Sequence, residues 1–222
     1  MTVPHKVDII SCLDSVDPQA AAIGAVNTIV NDEGHLRGHN TDVYGFARGL
    51  EVRGIAVKGQ NVIVFGAGGA ARAVVFALVA MGARVAVLNR DAGRAESLAR
   101  DASAACGAAV GHGPLVDAAL EPRLAGASLL VNTTSVGMSP SNDATPCPRR
   151  FLRPDMAVCD IVYNPRPTLL LRDAASVGAV TVDGVEMLVQ QGARAFELWT
   201  GVPAPADLMR EVASRELDRA SH

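Results

Sequence analysis

The chain has 222 residues, 49% of them hydrophobic, and a formal charge of −3, so it can bury a core and carries no basic footprint for nucleic acid. Four cysteines (Cys12, Cys106, Cys147 and Cys159) stand far apart, with no C-x-x-C pair and no histidine at ligand spacing, which argues for reduced thiols over a disulfide or zinc framework. The longest charge-free apolar stretch, residues 73–83, is too short to span a bilayer, and with no secretory signal apparent a soluble, cytoplasmic protein is expected.

In chain order, residues 25–30 and 35–39 flank Asp32-Glu33-Gly34 and read as a β-hairpin. His35 and His39 belong to that hairpin without a third ligand, so no metal site is expected there. Thr41-Asp42 signals a helix start leading into residues 43–50. These elements are too few to bury a core alone. Residues 62–65 then form an apolar β-branched run, read as a buried strand. Gly66, Gly68 and Gly69 make a tight turn, and an apolar helix is expected over 70–81, beginning at Ala70. Ala71 fills the third position of the G-x-G-x-x-G/A fingerprint, whose glycines let the backbone approach a pyrophosphate at a helix N-terminus.

Further strands are expected at 84–88, 129–132, 157–162 and 179–182, with helices at 92–105 and 168–177. Residues 139–150 read as a loop rich in proline and serine. This alternation predicts an α/β protein, a Rossmann-type doubly wound parallel sheet covered on both faces. The tail, roughly 186–217, reads as two helices broken at 201–205. Leu188, Gln191, Ala195 and Leu198 share one face of the first, which makes Gln191 either a ligand group or a structural hydrogen-bonder among apolar neighbours. Gln190 points about 100° away.

The strand at 84–88 is followed by Asn89-Arg90, with no carboxylate at its tip. Arg90 offers a fork of donors suited to a 2′-phosphate, Arg94 lies one helical turn onward, and Arg72 is expected to join the cluster. This favours NADP over NAD. Asp91 complicates the reading, because it would either repel a phosphate or serve as the ribose acid one position late.

Several segments add to the glycine turn: Thr2-Val3-Pro4-His5-Lys6, Ile23-Gly24-Ala25-Val26-Asn27-Thr28-Ile29 and Asn40-Thr41-Asp42-Val43-Tyr44-Gly45 in the first part of the chain. Asn132-Thr133-Thr134-Ser135-Val136-Gly137-Met138, Tyr163-Asn164-Pro165 and the run from Gly184 to Gln191 follow. In this order and spacing, over essentially the whole chain, they strongly resemble shikimate dehydrogenases. The resemblance implies reversible reduction of 3-dehydroshikimate to shikimate by NADPH, in aromatic amino-acid biosynthesis. It implies that Lys6 and Asp42 are the catalytic pair and that Thr2, Asn27, Tyr163 and Gln191 hold the substrate. Gly66, Gly68, Gly69, Ala70 and Thr133 would line the cofactor, Gly184 and Met187 would lie beside the nicotinamide, and Asn89, Arg90 and Arg94 would meet the adenosine phosphate. His5 is read as structural. The chemistry suits these residue types, since hydride addition to a ketone develops charge on oxygen that a lysine held by a carboxylate can protonate.

The resemblance also implies a split substrate domain, residues 1–45 completed by 188–222, around an NADP-binding domain at 46–187, in a monomer or homodimer. Family members carry some tens of residues ahead of the Thr2–Lys6 motif, including a Ser-x-Ser pair that grips the substrate carboxylate. Either a misassigned start or a real truncation is therefore expected, and a truncation would bare sheet edges of the hairpin. Asp91 is the second departure, where NADP-type members place threonine or serine. Two other readings stand beside the main one: a non-catalytic dinucleotide-binding remnant, and a quinate/shikimate enzyme using NAD.

Overall fold

The hairpin and the strand–helix alternation become two separate sheets in the computed structural model, which describes residues 5–220. After a 3-10 turn at Asp8–Cys12 come β1 (Ser15–Val16), α1 (Pro18–Ile23), β2 (Thr28–Asp32) and β3 (His35–His39). The small sheet has the order β1-β3-β2, β1 running parallel to β3 and β2 antiparallel to it. The pairing runs from Thr28↔His39 to Asp32↔His35, so Glu33 and Gly34 alone make the turn.

The hairpin begins three residues later than expected. Residues 25–27 are bound elsewhere: the Val26 N–H donates to the Lys6 carbonyl, and the Ala25 carbonyl accepts from Asn40 Nδ2. Helix α1 was not anticipated. Its signals are Pro18 in the first turn and Asp17 at the cap, whose carboxylate accepts from the N–H groups of Gln19 and Ala20 at 3.1 and 3.4 Å.

Helix α2 (Asp42–Val52) leads into the larger sheet, built from β4 (Asn61–Phe65), α3 (Gly69–Ala80), β5 (Arg84–Asn89), α4 (Ala92–Cys106), β6 (Gly111–Pro114), α5 (Asp117–Leu124), β7 (Leu129–Asn132), β8 (Ala157–Asp160), α6 (Leu169–Ser176) and β9 (Val180–Val182). All its strands are parallel, in the order β6-β5-β4-β7-β8-β9. The sequence order reverses at β4, which opens a crevice beyond the C-terminal ends of β4 and β7.

Strand periodicity sorts the core into two layers. Val62 and Val64 of β4 face one way, packing with Val74 and Leu78 of α3 and with Ile23, Phe46 and Leu50 from the N-terminal part. Ile63 and Phe65 face the other way, against Leu120, Leu124 and Leu170. Each such buried aliphatic side chain contributes about 1.5–3 kcal/mol.

Strand β8 stops two residues short of the expected end, because the Asp160 side chain turns the backbone by accepting from the Val162 N–H at 3.1 Å. Two helices close the chain, α7 (Val185–Thr200) and α8 (Ala206–Ala220). The buried residues of α7 are Val185, Glu186, Val189, Gln190, Ala193 and Ala195, while Leu188, Gln191 and Leu198 are half-buried. Of the expected face, Ala195 is buried and the other three positions partly so, and the helix buries a second face that carries Glu186 and Gln190. Arg210 of α8 makes this possible by donating to both Glu186 carboxylate oxygens at 2.8 Å, and Gln190 donates to the same carboxylate at 2.7 Å. Among the described residues no helix is long and apolar enough to cross a membrane.

Candidate active site

The glycine turn sits at the crevice. Gly66 has φ 108°, and a Cβ there would stand 2.5 Å from Thr133 Oγ1, so only glycine fits. Thr133 in turn donates its hydroxyl to the Phe65 carbonyl at 2.6 Å, joining the ends of β4 and β7. The first bond within α3 runs from the Arg72 N–H to the Gly68 carbonyl, which leaves the N–H groups of Gly69, Ala70 and Ala71 facing outward. Around a Cβ at Gly68 there is open space to 4 Å among the described residues. A positive helix end beside such space is a cradle that fits a pyrophosphate.

At the tip of β5, Asn89 Nδ2 donates to the Asp91 carbonyl at 3.0 Å, and the Asp91 carboxylate accepts from the Arg94 N–H at 3.2 Å. Asp91 is therefore the cap of α4, its carboxylate turned onto the helix start. Arg90 and Arg94 are exposed and make no ion pair or side-chain hydrogen bond among the described residues. Arg72 departs from the expected cluster. Its Nε donates to the Ile23 carbonyl and its Nη1 meets Asp101 at 3.1 Å, so its charge is already used.

Lys6 and Asp42, 36 positions apart, meet at the same crevice. Lys6 Nζ lies 2.5 Å from Asp42 Oδ2, and the two side chains are 12% and 6% exposed. The lysine stem packs on the glycine turn, since a Cβ on Gly69 would lie 3.3 Å from Lys6 Cβ. Asp42 opens α2, and its second oxygen accepts from Asn27 Nδ2 at 2.8 Å. Asn27 also accepts from the Thr41 N–H at 2.8 Å, so one amide fixes both the carboxylate and the helix start.

Gln191 comes to this group from the far end of the chain, its Oε1 accepting from Thr41 Oγ1 at 3.5 Å. It can do so because α7 crosses α2 closely at Gly45, where a Cβ would lie 2.7 Å from the Met187 carbonyl oxygen. Thr41 links Asn27 with Gln191; the sequence marks it as a helix signal and as part of the Asn40–Gly45 segment, without a role at the site. Tyr163 is exposed, on the loop after β8, and makes no hydrogen bond with Lys6 or Asp42. Gly184 is pressed against the Ile161 backbone. Thr2 lies outside the described residues.

One buried acid was missed. Asp160 is fully buried at the end of β8 and accepts from Asn132 Nδ2 (2.9 Å), the Val162 N–H (3.1 Å) and Thr168 Oγ1 (2.8 Å). Burial pushes its carboxyl up to about 6, against the opposing pull of those donors. Its only sequence signal is an acid ending an apolar strand. Cys147 and Cys159 are buried free thiols, and burial raises both, Cys147 to about 12, which makes them unreactive. Among the described residues no cluster of His, Cys, Asp or Glu is arranged to hold a metal.

Residues 1–29 match a shikimate dehydrogenase substrate-binding domain, 51–110 a shikimate/quinate 5-dehydrogenase model, and 184–213 a shikimate 5′-dehydrogenase C-terminal domain. A shikimate dehydrogenase (NADP(+)) of Moorella thermoacetica is 46% identical over all of this chain and 75% of its own length. The solved shikimate 5-dehydrogenase of Thermus thermophilus in complex with NADP(H) and shikimate superposes with a TM-score of 0.85 at 41% identity, covering 96% of this chain and 77% of that one. The quinate dehydrogenase of Corynebacterium glutamicum in complex with NAD gives 0.89 at 39% identity, over 97% and 76% of the two chains.

Proposed function

The chain belongs to the shikimate dehydrogenase family, and on that premise we propose that it reversibly reduces 3-dehydroshikimate to shikimate with NADPH, in aromatic amino-acid biosynthesis. The observation that carries this reading is the Lys6–Asp42 pair packed on the glycine turn, an amine and a carboxylate at the mouth of a dinucleotide crevice.

NADPH, when bound, supplies the hydride. Lys6 donates a proton to the carbonyl oxygen as negative charge develops there, and recovers it in the reverse direction. Asp42 aims the ammonium, and Asn27 fixes Asp42 in turn. In this reading Asn27, Tyr163, Gln191 and Thr2 hold the substrate. The turn from Gly66 to Ala70, with Thr133, carries the pyrophosphate, while Gly184 and Met187 flank the nicotinamide. Asn89, Arg90 and Arg94 hold the adenosine end, and the free guanidinium of Arg90 suits the 2′-phosphate of NADP. Residues 1–45 with 188–222 form the substrate-binding unit around a cofactor unit at 46–187. The enzyme works in the cytoplasm as a monomer or homodimer.

The test is shikimate-dependent reduction of NADP by the 222-residue chain. Lys6→Ala is expected to slow turnover by about 10²–10⁴-fold, the usual reach of acid–base catalysis, with NADPH affinity held within about twofold. Turnover unchanged in that variant would remove Lys6 from the mechanism. NADPH binding without turnover by the unmodified chain would favour a non-catalytic binding protein instead.

A further inference from the structure

The loops that leave β8 and β9 carry two of the groups proposed above, Tyr163 on one and Gly184 on the other. Their strands are neighbours, paired from Ala157↔Val180 to Cys159↔Val182, so both loops emerge side by side at the C-terminal edge. They touch twice. The backbone of Ile161 lies against Gly184, and Arg166 reaches across so that its Nε donates to Asp183 Oδ2 at 2.9 Å. Asp183 is itself fixed, because its other oxygen accepts from the N–H of Val185, the first residue of α7, at 3.3 Å. A second arm of the same guanidinium meets Asp218 Oδ1 of α8 at 3.4 Å. The side chains of Arg166 and Asp183 are only 26% and 17% exposed.

The Tyr163 loop is held on its other side by the Ser139 N–H, which donates to the Asn164 carbonyl at 3.0 Å. Pro165 and Pro167 flank Arg166 and stiffen the segment. Tyr163 thus stands on a short stiff stretch that is pinned at Asn164 and again at Arg166. The Arg166–Asp183 pair still reaches solvent, where an ion pair adds little to global stability. It joins two loops that sheet pairing does not join, and we propose that Arg166 is a positioning residue: it fixes the Tyr163 loop against the Asp183–Gly184 loop and so sets the Tyr163 phenol relative to the nicotinamide side of the crevice. The role rests on the function proposed above.

The experiment reads position and turnover separately. Tyr44 and Tyr163 are the two tyrosines of the chain, so fluorotyrosine labelling gives two fluorine resonances, assigned with Tyr44→Phe. Arg166→Ala is expected to shift and broaden the Tyr163 resonance while leaving that of Tyr44 in place, and to lower kcat/KM for shikimate by about tenfold or more, as small misplacements at a reacting centre do. KM for NADP should stay within about twofold, and Arg166→Lys, which keeps one bond to Asp183, should recover part of both effects. An unmoved Tyr163 resonance overturns the proposal, whether or not the chain turns over shikimate. So does a moved resonance with unchanged kcat/KM in an active enzyme. Absent turnover in the unsubstituted protein counts against the proposed function alone, and the fluorine spectrum then decides the role of Arg166.

Discussion

Asp160 shows how much one side chain can organise at a price in stability. Its three donors come from Asn132, Val162 and Thr168, which begin or end the loops on either side of Thr133 and Tyr163. Its carboxyl is raised by burial from the ordinary 3.8 to about 6. Below the lower value both folded and unfolded chains hold the proton. As pH rises between the two, the unfolded chain releases its proton first, so this group's contribution to stability falls until the folded carboxyl ionises as well. A shift of that size corresponds to about 3 kcal/mol. Asp160→Asn removes the titration, so the stability of the variant relative to wild type should rise between about pH 4 and about pH 7. Urea melts of both proteins across that range check it, and a pH-independent difference would refute it. Arg90 offers a second test at this scale. It is exposed and unpaired among the described residues, so Arg90→Ala should do little to folding. Losing a charged hydrogen bond to a phosphate is worth about 1.5–3 kcal/mol, so kcat/KM should drop about 10–100-fold with NADP and stay level with NAD. An equal loss with both cofactors would mean that Arg90 does not read the 2′-phosphate.

At the scale of elements, α2 and α7 join the two ends of the site, and their contact depends on one glycine more than the other. A Cβ on Gly45 would come within 2.7 Å of the Met187 carbonyl oxygen and 2.9 Å of the Gln191 nitrogen, both backbone atoms that cannot yield. The same atom on Gly49 would find nothing closer than 3.7 Å. Gly45→Ala should therefore force the helices apart, lose about 1–3 kcal/mol and loosen the Thr41–Gln191 contact. Gly49→Ala should gain up to about 1 kcal/mol from helix propensity alone. Thermal melts of the two variants should move in opposite directions. The sequence made the larger sheet legible because its central strands are apolar runs with glycine and charged residues between them. It concealed β6, whose Gly111-His112-Gly113-Pro114 carries no apolar signal, and α5, which has Pro122 inside it. The β1 strand is two residues long and depends on pairing with β3, which no local pattern reveals. The site divides the same way. Motifs marked Lys6, Asp42 and the glycine turn, whereas the buried acid Asp160 and the tie between Arg166 and Asp183 exist only once distant loops have met.

Across the whole molecule, the proposed chemistry is assembled from two sheets. Lys6 belongs to the chain that feeds the small sheet yet packs on Gly69 of the large one, so the reacting geometry is only as firm as the join between them. Arg72 spans that join. It begins in α3 beside the glycine turn, donates to the Ile23 carbonyl at the end of α1, and pairs with Asp101 of α4. A Cβ on Gly24 would stand 3.1 Å from its Nη2, so the guanidinium is packed as well as bonded. The residue that resembled part of a phosphate-binding cluster is thus a strut between the two halves of the crevice. Arg72→Ala should leave the backbone of the glycine turn, and hence KM for NADP, within about twofold. It should lower kcat by about tenfold as Lys6 loses its fixed distance from the cofactor side. Arg72→Lys keeps a charge for Asp101 but loses the planar fork, and should fall between the two. Steady-state kinetics on all three proteins check this. A rise in KM for NADP with kcat intact would return Arg72 to the cofactor site and leave the join to the packing of Ile23, Phe46 and Leu50 on α3.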